Sequence, residues 1–278
     1  MTKIALKTLR GLLLAMLLLV VPAHVGCMTM QRFTGHSAES LPADHLLMLG
    51  QLVVHSDFPL AADHRLLLEL QSLRNDVLHE LELPSSNEPI QVYLFETTEE
   101  LQRFARTKYP NFPDRRAFFI ESDTRLAVYA HWGDRVAEDL RHEVAHGYLH
   151  ASVPRLPLWA DEGLAEYFEV PRGDHGLHRP HLEELRAALA VGRWKPDLAR
   201  LQKLTDGGAL RQIDYAESWL WTHWLLHGSP QGKMTLQTYL RSLRGQPEQD
   251  LDIAAALTQQ FPNPAVEVLR HLDRLPAK

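Results

Sequence analysis

Residues 140–150 read LRHEVAHGYLH, and within them His142, Glu143 and His146 stand at the spacing H-E-x-x-H. On an α-helix, positions four apart lie about 40° apart around the axis and about one 5.4 Å turn along it. Two imidazoles placed this way can converge on one metal ion at about 2.0–2.1 Å each. A glutamate directly after the first histidine faces the same cleft. There it can take a proton from water and later return it to a leaving group. The chain carries 16 histidines, so the spacing needs support from its surroundings.

A catalytic zinc takes three protein ligands and keeps one position open. The pattern that supplies a third histidine, HExxHxxGxxH, is absent, because Leu149 and Ser152 occupy its glycine and histidine positions. His150 continues the i, i+4 series, but a third group one turn further along a straight helix lies too far from the ion. It reads as a polar residue on the helix flank. LPLWADEGLAEYFE (156–169) offers better groups. Glu162 falls 16 positions after His146, beyond Pro154 and Pro157, on a second helix that can pack antiparallel to the first. Glu166, one turn on and on the same face, can accept the N–H of a ligating histidine.

HEVAH followed by PLWADEGLAEYF resembles the gluzincin metallopeptidases. The likeness is to the peptidase-MA-like families, including bacterial ones of unknown function, and more distantly to aminopeptidase N. It extends over residues 89–228. It implies one Zn2+ per chain on His142, His146 and Glu162, Glu143 as general base and then acid, and Glu166 behind a ligand. The implied substrate is a peptide or protein. IDYAESWLWTHWLL (213–226) is similar to the family segment that brings a tyrosine toward the metal, which nominates Tyr215 as the oxyanion donor. A tyrosine opening an aromatic-rich helix also reads as core, as do Trp219, Trp221 and Trp224. His223 and His227 are alternatives to Tyr215. The resemblance further implies that strand 125–131 is the sheet edge on which an extended peptide pairs, placing His131 and Trp132 near the cleft. The aminopeptidase signature G-x-M-E-N is absent, which favours an endopeptidase.

Two other function classes compete. A lipid-anchored binding or scaffold module would keep zinc without turnover, but such a site needs ligands and no base, and Glu143 is intact. A hydrolase of non-peptide amides would use the same zinc–water chemistry. His175, His178 and His181 lack acidic or cysteine partners at ligand spacing, so they read as a solvated loop before a second metal site.

The elements that must position these residues follow from periodicity and punctuation. Leu46, Leu47, Leu49, Leu52 and Val53 recur at helical spacing, and 64–83 is a strong amphipathic helix ended by Pro84. Residues 89–96 read as a strand, and Thr97 to Glu100 as a helix start. Residues 117–122 and 124–132 read as two strands around a turn. Helices follow from Arg135 and over 158–170. Residues 171–181 read as loop, and the remainder is helical, with breaks near Pro196, Gly207, Pro230 and Gly245. The expected fold is α+β: a small mixed β-sheet with a zinc-binding HExxH helix of gluzincin, thermolysin-like type, then a helical C-terminal subdomain. The expected domain covers 44–278, divided into sheet and zinc helices (44–170) and helical subdomain (171–278).

Composition agrees with a globular chain holding a sizeable core, at 45% hydrophobic and 23% charged residues. A net charge of −6 and the lack of a basic stripe exclude a nucleic-acid footprint. The N-terminus differs from the rest. Lys3, Lys7 and Arg10 precede an apolar run at 11–21 and then PAHVGC, the layout of a secretory signal over residues 1–26. The run is short for a membrane span, which needs about 20 residues. Its removal takes three positive charges and no acid, so −6 becomes −9. VGC at 25–27 resembles a bacterial lipobox, with His24 where an aliphatic residue is usual. Cys27 is the only cysteine, so lipidation there would anchor the chain to a membrane. Cleavage after Ala23 would instead release a soluble periplasmic or secreted protein. Met28 after the cysteine implies, by resemblance to Gram-negative sorting, an outer-membrane lipoprotein facing the periplasm. Residues 27–43 read as a tether. With no other cysteine, stability must come from the core or a metal.

Overall fold

A computed structural model describes residues 40–110, 112–247 and 250–276. The signal segment, Cys27 and most of the expected tether lie outside the described residues. Five strands form one mixed sheet: β1 (His45–Leu49), β2 (Leu52–Ser56), β3 (Ile90–Phe95), β4 (Ala117–Ser122) and β5 (Arg125–His131), in the order β1-β2-β3-β5-β4. The three inner strands run parallel, and β1 and β4 pair antiparallel at the two edges. The architecture is therefore α+β, with helices surrounding one mixed sheet.

Two expectations are corrected here. Residues 45–56 form a hairpin rather than a helix. Gly50 adopts a φ of +63° in the two-residue turn that pairs Leu49 with Leu52, a conformation open to glycine at little cost. Beyond it, Leu52, Val54 and Ser56 are buried in alternation, the period of a strand. The leucine-rich run matched both periods, and the glycine decided. Second, β5 is not the sheet edge. It lies between β3 and β4, because a tight turn folds β4 back onto it, Ser122 facing Arg125. The edge beside the catalytic candidates is β4.

Alternate residues of β3 fill two layers. Ile90, Val92 and Leu94 face a large core with α1 (Arg65–Leu81) and α3 (Val136–His150), while Tyr93 and Phe95 pack with α2 (Thr98–Lys108). Helix α2 begins at a reciprocal cap, in which Thr97 and Glu100 satisfy each other's exposed amides. Beyond α3 the chain is helical: α4 (Leu158–Phe168), α5 (Arg179–Ala190), α6 (Leu198–Leu201), α7 (Gln212–His227), α8 (Pro230–Ser242), α9 (Ile253–Gln260) and α10 (Pro264–Arg274). One apolar core runs from Leu49 of β1 to Leu272 of α10, so sheet and helices are stabilised together. No helix among the described residues is long and apolar enough to cross a membrane.

Candidate metal centre

Helix α3 packs into the core through Leu140, Val144, Tyr148 and Leu149, all buried, and the Tyr148 hydroxyl donates to the Leu70 carbonyl of α1. Gly147 permits the approach: a Cβ there would stand 3.0 Å from Ile90 Cγ2. With that face committed to the core, His142, His146 and His150 turn toward α4. Contacts between the helices run in reverse order, His142 with Glu169 and both His146 and His150 with Asp161. The helices are thus antiparallel. Helix α4 is held in turn by α7, and the contact passes through Gly163, whose Cβ would lie 2.5 Å from the Ser218 carbonyl oxygen.

Three donor atoms converge. His142 Nε2 and His146 Nε2 lie 3.1 Å apart, and Glu162 Oε2 is 3.6 Å from the first and 3.8 Å from the second. A point equidistant from three atoms so separated lies about 2.0 Å from each, the length of a zinc–imidazole or zinc–carboxylate bond. The outer nitrogens are already engaged. His142 Nδ1 donates to Glu169 Oε2 at 2.9 Å, and His146 Nδ1 donates to Asp161 Oδ1 at 2.6 Å. Carboxylate partners of this kind fix the tautomer that aims Nε2 lone pairs inward. The two Nε2 atoms lie within hydrogen-bond distance of each other and near the Glu162 carboxylate. These residues therefore fit a zinc ion by both donor set and geometry.

The electrostatics agree. Burial pushes the His142 imidazole toward its neutral form, but the hydrogen bonds of Glu162 and Glu169 outweigh this and raise its pKa well above the ordinary value. His146 is shifted the same way against burial, by Asp161. The pocket thus favours positive charge at the convergence point. Burial pushes Asp161 up, and His146 and His150 more than reverse this, holding it well below the carboxylate range. Glu169 is held at about 2 by His142 and His178 against its own burial. Glu143 moves the opposite way, its pKa raised by burial, as suits a proton carrier.

A cavity of about 380 Å³ contains His142, Glu143, His146, Glu162 and Tyr215, with Phe118 and Phe119 of β4 on one wall. Phe119 stacks on His146 at a centroid distance of 5.9 Å. Tyr215 sits in the first turn of α7, which is anchored by Asp214. That carboxylate accepts from the Arg211 amide and pairs with Arg200 and Arg211. Arg115, in the loop before β4, interacts with the Tyr215 hydroxyl and lies in the field of Glu143 and Glu162.

Other expectations are corrected. Glu166 was expected to hold a ligating histidine, but that bond to His142 comes from Glu169, three residues on. Because the helices are antiparallel, the earlier histidine of α3 meets the later part of α4, and Glu166 faces His178 and His181 instead. These two histidines do not lie in a solvated loop. His178 caps α5 through Nδ1, and His181 is buried. His175 lines a separate cavity with Asp76 and Glu80. His150 stands outside the three-donor centre, its Nδ1 hydrogen-bonded to Glu121 and its Nε2 3.1 Å from Asp161 Oδ2. His223 bonds His271 and His227 bonds Tyr167, so neither replaces Tyr215. His131 meets the Arg116 carbonyl, and Trp132 packs on Phe58 and His64, away from the cleft. Trp219, Trp221 and Trp224 are core.

Asp161, Glu169 and Arg115 escaped the sequence reading. Glu169 was within reach of it, since Glu162, Glu166 and Glu169 share one helical face at i, i+4, i+7. Asp161 and Arg115 carry no local signal. No family model and no curated protein matches the chain.

Proposed function

We propose that this protein is a zinc-dependent peptidase of gluzincin type, hydrolysing peptide bonds in the bacterial cell envelope, to which lipidation of Cys27 anchors it. The observation that carries the reading is the convergence of His142, His146 and Glu162 on one point about 2.0 Å from each donor, with Glu143 in the same cavity. A site built only to hold an ion needs no such carboxylate.

Zinc, when bound, supplies a Lewis acid that acidifies water and polarises a carbonyl. The chain's own residues do the rest. Asp161 and Glu169 accept the Nδ1 protons of the two imidazoles and hold the rings so that Nε2 faces the metal position. Glu143 accepts the proton of the attacking water and delivers it to the departing amine, and burial brings its pKa toward the range such a shuttle needs. Tyr215 donates its hydroxyl proton in a hydrogen bond to the carbonyl oxygen as negative charge gathers there. Strand β4, at the sheet edge among the described residues, offers main-chain groups to an extended peptide, which favours internal cleavage of a chain over recognition of a free amine.

The test is cleavage of an unbiased peptide library, read by mass spectrometry, with zinc-loaded wild type beside Glu143→Gln. Wild type is expected to cut. Glu143→Gln is expected to bind zinc equally well and to cut about 10²–10⁴-fold more slowly. Equal cutting by both would refute the assignment of Glu143. No cutting by zinc-loaded wild type would leave a zinc-holding binding module as the better account.

A further inference from the structure

Behind the three-donor centre lies a second group of metal-type ligands. His181 is 2% exposed, and neither of its ring nitrogens makes a hydrogen bond. Yet its Nε2 lies 2.9 Å from Glu166 Oε2, and His178 Nε2 lies 3.5 Å from the same oxygen. The two imidazoles stack with centroids 3.8 Å apart, and one donor atom from each of the three residues falls within 4.8 Å of the others.

A buried imidazole facing a carboxylate at 2.9 Å normally hydrogen-bonds to it. Here the oxygen is off the line that a proton would take. A shared ion accommodates such an offset. With an ion about 2.0 Å from both atoms, an N···O separation of 2.9 Å puts the oxygen roughly 40° from the axis of the nitrogen lone pair. A proton bridge is in line and an ion bridge is bent.

We propose that Glu166, His178 and His181 form a second binding site for a divalent ion of zinc type. Two imidazoles and one carboxylate are the donor set of the first site, and the same borderline ions suit it. A cavity of about 710 Å³, lined by all three residues, gives the ion a way in. His178 now accepts the His181 amide at Nδ1 and faces Glu169 Oε1 at 2.7 Å through Nε2. Ligation at Nε2 moves the ring proton to Nδ1. The ring stays neutral, and two hydrogen bonds are given up, the 2.7 Å bond to Glu169 Oε1 and the 3.2 Å capping bond. Glu169 stands between the sites, one oxygen on His142 Nδ1 and the other 2.7 Å from His178 Nε2. The second site does not depend on the peptidase reading, because it uses none of His142, Glu143, His146 or Glu162.

The test is zinc content per chain, by plasma mass spectrometry, of the full-length protein saturated with zinc at neutral pH and passed through a desalting column. Two ions are expected for wild type. One is expected for Glu166→Gln and for His181→Gln, with unchanged far-ultraviolet circular dichroism. Glu162→Gln is expected to retain one ion and Glu162→Gln/Glu166→Gln none. Glu166→Gln preserves shape, so the test stands if the His181 variant fails to fold. No ion in wild type overturns the proposal, as does an ion count that Glu166→Gln leaves unchanged. One ion in wild type that survives Glu162→Gln and is lost in Glu166→Gln would instead count against the first site.

Discussion

Gly163 sits where the ligand helix meets its support, and replacing it with alanine tests how that contact sets the metal geometry. A Cβ at 163 would stand 2.5 Å from the Ser218 carbonyl oxygen, 2.8 Å from its carbon and 2.6 Å from Thr222 Oγ1. The threonine hydroxyl can rotate away. The Ser218 carbonyl cannot, because it belongs to the backbone of α7. An ordinary carbon contact begins at about 3.4 Å, so α4 must withdraw by roughly 0.9 Å at this point, or tilt to the same effect. Overpacking of this kind costs about 1–3 kcal/mol of stability. Glu162 is the adjacent residue, and metal sites tolerate about 0.2 Å in ligand distance. Gly163→Ala should therefore lower the metal-free unfolding free energy by about 1–3 kcal/mol and weaken zinc about tenfold or more. Urea unfolding of the metal-free protein and zinc titration against a chromophoric chelator measure the two effects. A variant with wild-type stability and wild-type zinc affinity would refute the claim that the α4–α7 contact positions Glu162.

Three further outcomes follow from named contacts. Asp161→Asn and Glu169→Gln each remove the charge behind one ligating imidazole, and each should weaken zinc about 10–100-fold in the same chelator competition. Tyr215→Phe should keep zinc content and lower kcat about 10²–10³-fold with little change in KM, as loss of an oxyanion donor does, and steady-state kinetics on any cleaved library peptide will read it. His223 and His271 hydrogen-bond each other at 2.8 Å, and burial pushes their pKa values down to about 3 and about 4. The unfolded chain binds these protons near pH 6.5 and the folded chain does not. Stability is therefore complete above about pH 6.5 and falls as the pH drops toward 4, by about 1.4 kcal/mol per unit for each histidine. His271→Gln should reduce that slope in thermal melts between pH 6.5 and 4.5, and an unchanged slope would exclude the pair as its source.

The candidate site of this chain was more legible than its packing. His142, Glu143, His146 and Glu162 could be found because helical spacing and a proline-broken turn constrain where their side chains point. The strand at 45–49 could not, because its leucines match a helix and a strand equally and only the left-handed Gly50 separates the two. The partner of His142 was missed for a different reason. Whether Glu166 or Glu169 meets it depends on how far one antiparallel helix slides along the other, which core contacts such as Gly163 against Ser218 determine. Register of that kind leaves no mark on either helix alone. The same holds for Glu166 and its two histidines, which are 12 and 15 positions away and meet only because α5 folds back across the end of α4.

The most direct test of the central claim is anomalous diffraction at the zinc absorption edge from crystals of the protein grown with zinc. A peak is expected about 2.0–2.2 Å from His142 Nε2, His146 Nε2 and a Glu162 carboxylate oxygen. An absence of anomalous density among these three atoms, with the two imidazoles hydrogen-bonded to each other in its place, would contradict the claim.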